Sequence, residues 1–195
     1  MFTWKVICDK IFAGDVMNNQ EILKKAYDEG FDKACLISTD KIVFDPSFRP
    51  YCEENLCGQY NCNYSCPEFC GTPEEMKARI LNHSKALVLQ MMWDFPTLTD
   101  DEAFKKSKKI QNRATINVIE KLKAEGHKGL MVGSSGCNLC SPCKAKTGEE
   151  CPFPDKRFSC MSAYCIFVRK LADECGMKYN YENGKLPFFS MFVFD

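Results

Sequence analysis

Cysteine is the residue that most constrains this chain, because the 14 cysteines are concentrated in two irregular stretches. The first stretch covers residues 45–71 and the second covers residues 133–160, and each holds five cysteines among prolines, asparagines and glycines. Loops of this length are uncommon in compact domains unless a ligand or a function organises them. The pattern therefore predicts that a bound metal group orders both stretches.

A disulfide scaffold is the first alternative for so many cysteines. Such scaffolds are usually shorter than 195 residues, and a hydrophobic content of 45% is enough to close a core without cross-links. Residues 1–15 lack the continuous apolar segment and the cleavage site of a secretory signal. We therefore expect a cytoplasmic chain whose reduced thiols are available to metals.

The second stretch has the more regular spacing. Cys137, Cys140 and Cys143 are three residues apart, and a Cys-Pro pair follows at Cys151. Three thiolates at this spacing let one short loop ligate three irons of a [4Fe-4S] cluster, as in bacterial ferredoxins, although the gap before the Cys-Pro pair is longer here. A single tetrahedral zinc site would more naturally use two separated cysteine pairs. The spacing favours an iron–sulfur cluster, with zinc as the alternative.

The first stretch is denser and less regular. Its five cysteines are Cys52, Cys57, Cys62, Cys66 and Cys70. Because four thiolates saturate one [4Fe-4S] cluster, at least one of the five is not a ligand. We interpret Cys52, Cys57 and Cys66 as the main ligands, with Cys62 or Cys70 as the fourth. The sequence therefore predicts two [4Fe-4S] clusters in total.

Two questions of ligation stay open at this point. Cys66 and Cys151 both precede a proline, and in two-cluster ferredoxins that cysteine ligates the other cluster, so crossed and separate ligation are both possible. Cys160 ends the second stretch and Cys165 follows it closely, and either could supply a missing ligand. The remaining cysteines lie in apolar runs or on apolar faces and are interpreted as small buried hydrophobic residues: Cys8, Cys35 and Cys175.

Helix and strand patterns alternate outside the cysteine stretches. Apolar periodicity and capping residues predict helices over residues 18–27, 72–81, 99–124 and 162–174. Strands are predicted over residues 5–8, 34–38, 86–92, 130–132 and 188–194, with residues 42–44 as a possible extension. This alternation predicts a single α/β domain over residues 1–195, with a mixed sheet flanked by helices and two cysteine-rich loops mounted on it.

Charge and composition exclude several functions. The 26 basic residues balance the 26 acidic ones, so the chain lacks the positive charge that nucleic-acid binding requires. No apolar run is long enough to span a membrane. With only two histidines, the chemistry must depend mainly on sulfur. We expect electron transfer or redox coupling with an unknown partner protein; the alternatives are an iron–sulfur enzyme with an open iron or cofactor site and a zinc-stabilised interaction module.

Several motifs together resemble the cysteine-rich "predicted metal-binding protein" family, a domain family of unknown function found mainly in anaerobic bacteria and archaea. The motifs are Arg49-Pro50-Tyr51-Cys52, Cys57-Gly58-Gln59-Tyr60, Cys66-Pro67, the Cys137 to Cys143 run, Cys151-Pro152-x-Pro154 with Lys156-Arg157, and Ser159-x-Met161-Ser162-Ala163-Tyr164. The resemblance covers nearly the whole chain and implies metal binding. It also implies that Cys62 and Cys70 are particular to this sequence, and relatives often carry an apolar residue at the position of Cys70.

Overall fold

A mixed β-sheet forms the centre of the protein in a computed structural model that describes residues 16–195. Its five strands are β1 (Lys33–Ser38), β2 (Lys85–Asp94), β3 (Gly129–Gly133), β4 (Ser159–Cys160) and β5 (Lys185–Phe194). Their order across the sheet is β1-β2-β5-β3-β4. The first four strands in this order pair antiparallel, and β3 pairs with β4 in parallel. The mixed sheet predicted from the sequence is confirmed.

Helices cover both faces of this sheet. They are α1 (Val16–Asp28), α2 (Arg49–Glu53), α3 (Pro73–Leu81), α4 (Asp101–Ala124) and α5 (Val168–Glu174). The predicted capping box of α3 is present: Thr72 Oγ1 accepts from the Glu75 N–H, and the Glu75 carboxylate accepts from the Thr72 N–H. Within residues 16–195, no helix is both long enough and apolar enough to cross a membrane.

The two faces of the sheet have different cores. On one face, β2 contributes Leu87 and Leu89, which pack with α1 and α4. On the other face, the alternate residues Ala86 and Val88 pack with α3, α5 and the buried Cys70. Side chains of a strand alternate between faces, so a strand that is covered on both sides is apolar throughout. Cys70 of the first stretch and Cys160 of the second pack on this second face, which carries α3 and α5.

The structure corrects several boundaries predicted from the sequence. The last helix begins at Val168 rather than near residue 162, because the preceding residues form turns and Cys165 adopts a left-handed φ of 54°. The N-cap of α4 is Asp100, whose carboxylate accepts from the Ala103 N–H, rather than Thr99. Residues 42–44 add no strand beyond one bridge from Phe44. The predicted strand over residues 5–8, with Cys8, lies outside the described residues.

Candidate metal centre

The oxidation state of the cysteines decides whether they can bind metal, because only reduced thiols are available as ligands. All thirteen cysteines within residues 16–195 are free, so none of these forms a disulfide. The fold also has an extensive two-sided apolar core. The disulfide scaffold weighed from the sequence is therefore not the basis of this part of the molecule.

Four cysteines from separate parts of the chain form what we name the first cysteine group: Cys52, Cys57, Cys66 and Cys160. Cys52 lies in α2 and Cys160 ends β4, while the other two lie in the loop between α2 and α3. The charge on Cys160 acts on both Cys52 and Cys66, and the charge on Cys57 acts on the other three members; Cys70 also acts on Cys66 and Cys160, and Cys165 acts on Cys52. The group therefore combines three cysteines of the first stretch with one from the end of the second.

The chemistry of these thiols follows from burial and mutual repulsion. Burial is the main cause that raises the pKa of Cys52 to about 11 and that of Cys66 to about 12, and the nearby charge on Cys160 raises both further. Burial also raises the pKa of Cys160. Without a cation, these thiols stay protonated at neutral pH, so the group needs a positive centre to hold several thiolates close together.

One cation already lies beside this group. Arg49, at the start of α2, donates from Nη2 to the Ala163 carbonyl at 3.0 Å and places Nη1 3.8 Å from Cys70 Sγ. Its charge lowers the pKa of Cys52 and Cys70, although burial leaves both pKa values raised. Its buried Nε has no hydrogen-bond partner within the described residues. Cys165 also interacts with this guanidinium. Arg49 therefore joins α2 to the turn after β4, with Cys70 and Cys165 beside it.

The second cysteine group is Cys137, Cys140, Cys143 and Cys151, all within the loop that follows β3. Burial raises the pKa of Cys137, and the charges on Cys140 and Cys151 raise it further. Cys143 precedes a short 3₁₀ turn at Lys144–Thr147. All four thiols are partly exposed. Cys66 thus interacts with members of the first group, and Cys151 interacts with Cys137 of the second.

Backbone N–H groups lie near one thiol in each group. Those of Ala163 and Ser162 lower the pKa of Cys160, and those of Leu139 and Phe158 lower the pKa of Cys137, although burial leaves both pKa values raised. Such donors favour the thiolate form and are also the contacts that tune a metal–thiolate centre. The donor set is thus soft sulfur supported by backbone donors, which fits an iron–sulfur cluster or another thiolate-bound metal.

The other cysteines have different surroundings. Cys62 is partly exposed in a turn in which its N–H donates to the Gln59 carbonyl. Cys35 is buried in β1, as predicted, and Cys175 caps the end of α5. The sequence indicates Cys160 only as a minor alternative, because β4, which positions it, pairs through just two residues. Its position at the end of the second stretch is the one signal that points to it.

A model of one protein family matches residues 35–194, which is most of the chain and includes both cysteine groups. The family is described as predicted metal-binding protein, DUF2284. The chain belongs to this family. Membership confirms the resemblance drawn from the motifs and, together with the free cysteines, makes this protein a cysteine-rich metal-binding domain. A comparison with curated proteins finds no match, and neither does a comparison with solved structures.

In the part of the chain that the structure describes, no three His, Cys, Asp or Glu side chains are drawn together around one metal-ion position. A surface cleft of about 420 Å³ lies beside α2 and the start of α3, and Arg49, Tyr60 and three carboxylates are among the residues that line it. These carboxylates belong to Glu53, Glu68 and Glu75. No cysteine of either group lines this cleft.

Proposed function

We propose that this protein is a two-centre iron–sulfur electron carrier, with one [4Fe-4S] cluster at each cysteine group. Cys52, Cys57, Cys66 and Cys160 would hold the first cluster, and Cys137, Cys140, Cys143 and Cys151 the second. The observation that carries the proposal is the proximity of Cys160 to Cys52 and Cys66, since it offers a fourth thiol beside the three of the first stretch, and four thiolates are the full ligand set of a cubane cluster.

Sulfur chemistry supports iron over zinc. A structural zinc ion takes four ligands at tetrahedral positions, which usually come from two separated pairs. Here the second group has three cysteines at intervals of three residues, which is the spacing of cluster-binding ferredoxin loops. The N–H donors at Cys137 and Cys160 also support a redox centre, since hydrogen bonds to cluster sulfurs help to set the reduction potential.

Four cysteines at the first group favour electron transfer over substrate binding. A cluster that binds substrate needs an iron without a protein ligand, and Cys160 supplies the fourth thiol that the first stretch leaves uncertain. When bound, each cluster would supply one-electron chemistry at a potential that burial and hydrogen bonding set. The chain's own residues would ligate it, exclude water on the side of Cys66 and leave Cys57 exposed toward a redox partner.

Electron paramagnetic resonance of the dithionite-reduced protein, purified without oxygen, tests the proposal. We expect low-temperature signals from two reduced clusters, and in the Cys160→Ser variant the signal of the first cluster should disappear. Cys175→Ser is the matched control, because it removes a cysteine outside both groups. A colourless protein with zinc and no cluster signal would favour the zinc-stabilised module. A first cluster that survives in Cys160→Ser and binds added cyanide at an open iron would favour the enzyme.

A further inference from the structure

The two cysteine groups meet at a junction formed by Ser65, Cys66, Gly136 and Cys137. Ser65 Oγ accepts a hydrogen bond of 2.8 Å from the Cys137 N–H, and the same oxygen lies 3.8 Å from Cys66 Sγ. Asn63 reinforces the contact, since its Nδ2 donates to the Cys137 carbonyl at 3.0 Å. A cysteine of the first group is thus linked to a cysteine of the second through one side chain.

Gly136 allows this close approach. A Cβ at this position would lie 3.0 Å from Cys66 Sγ and 3.2 Å from Ser65 Oγ, which is tighter than ordinary van der Waals contact. The backbone of Gly136 does not have a left-handed φ, so its conformation alone does not require glycine. The absence of a side chain at Gly136 therefore serves the contact between the two loops.

The first-group side of the junction is buried. Asn63, Ser65 and Cys66 are 5%, 1% and 6% exposed, while Gly136 and Cys137 are partly exposed. Charges on the buried side interact in a medium of lower dielectric constant than water. Electron tunnelling falls steeply with distance and is more efficient through covalent and hydrogen bonds than across a gap. The route from Cys66 through Ser65 to Cys137 runs through covalent bonds and the hydrogen bond from the Cys137 N–H, together with the contact between Cys66 Sγ and Ser65 Oγ.

We infer that this junction carries electrons between the two metal centres, so that the protein works as one coupled two-electron unit. The inference rests on the proposed function, since it requires a redox centre at each group. In each exchange one centre loses one electron and the other gains it, and no further oxidant or reductant is consumed. The partner could then deliver electrons at one centre and withdraw them at the other.

Proton NMR of the half-reduced, metal-loaded protein tests the inference. Cysteine β-protons at paramagnetic clusters give strongly shifted signals, which average between oxidised and reduced positions when electrons hop quickly between the centres. We expect averaged signals in the wild type and separate signals in Ser65→Ala, which removes the hydroxyl link. Tyr64→Phe is the matched control: it removes an exposed hydrogen bond between the same two loops, from the Tyr64 hydroxyl to the Glu149 carbonyl, and should keep averaged signals.

The possible results distinguish a failure of the proposed function from a failure of the electron route through the junction. Absence of any shifted cysteine signal would contradict the proposed function itself. Shifted signals that stay separate in the wild type would overturn the junction alone, and so would averaging that persists unchanged in Ser65→Ala. Iron content, measured on each sample, shows whether a variant still holds both centres. If Ser65→Ala loses metal, the wild-type spectrum and the Gly136→Ala variant test the junction instead. Gly136→Ala widens the contact and is expected to give separate signals.

Discussion

The two cysteine groups are assembled in different ways. The first gathers residues from α2, from the loop before α3 and from the end of β4, and Arg49 joins two of these parts although its partner Ala163 is 114 positions away. The second lies within one loop, between Cys137 and Cys151. Only the first contains a buried cysteine, Cys66. The first group therefore depends on the completed fold, whereas the second depends on local spacing.

The largest effect should follow from breaking the first group at its most distant member. Cys160→Ser replaces a soft sulfur ligand with oxygen, so we expect iron to fall from about eight to about four atoms per chain. The unfolding midpoint should fall as well, because the metal at this group would connect three separate segments. Iron analysis and circular dichroism measure the two effects. Retention of all the iron, as expected for the Cys175→Ser control, would contradict the role of Cys160.

Breaking the second group should cost iron with less loss of stability. Cys140→Ser should also leave about four iron atoms per chain, now at the first group. The unfolding midpoint should change less than in Cys160→Ser, because a metal that closes one short loop restrains the unfolded chain less than one that connects distant segments. Thermal unfolding of the two variants, side by side, measures the difference. Equal destabilisation would mean that the two groups are assembled alike.

The pH dependence of alkylation in the metal-free protein measures how strongly burial acts on a thiol of the first group. Because the pKa of Cys52 is raised to about 11, its reactive thiolate fraction should grow about tenfold per pH unit from pH 7 and level off only near pH 11. In the denatured chain the same thiol should level off near pH 8.5. Mass spectrometry of the iodoacetamide-modified peptide measures the rate. A plateau below pH 9 in the folded protein would show that burial does not act on this thiol.

The smallest effect should come from removing the cation next to the first group. Arg49→Met keeps an apolar side chain in the space but removes the positive charge that favours added electrons nearby. We expect the reduction potential of the first centre to become more negative, while that of the second stays unchanged, in a redox titration followed by electron paramagnetic resonance. Arg49→Lys should restore part of the shift. Equal shifts at both centres would point to a general structural change instead.

Much of the fold could be predicted because its strands are apolar on both faces. The runs at β2 and β5 carry that signal, and the capping box before α3 marks its start. The pairing of β4 could not be predicted, since two residues give no periodic pattern. The turn that follows it was mistaken for helix, because the residues around Tyr164 have an apolar face. That side chain is buried although it lies outside α5.

The candidate ligands also differ in whether local sequence is enough to predict them. Local spacing was enough to mark Cys137, Cys140, Cys143 and Cys151 as a set, because they lie in one loop. It could not place Cys160 near Cys52 and Cys66, since Cys160 reaches them only after the sheet and the turn behind β4 have formed. Cys70, one of the two fourth ligands expected from the sequence, lies beside Arg49 and in the apolar core, and its charge also acts on Cys66 and Cys160.

Counting iron, acid-labile sulfide and zinc in protein purified without oxygen tests directly whether the cysteines hold two clusters. Two cubane clusters predict about eight irons and about eight sulfides per chain, with little zinc. One or two zinc ions per chain, with neither iron nor sulfide, would contradict the account.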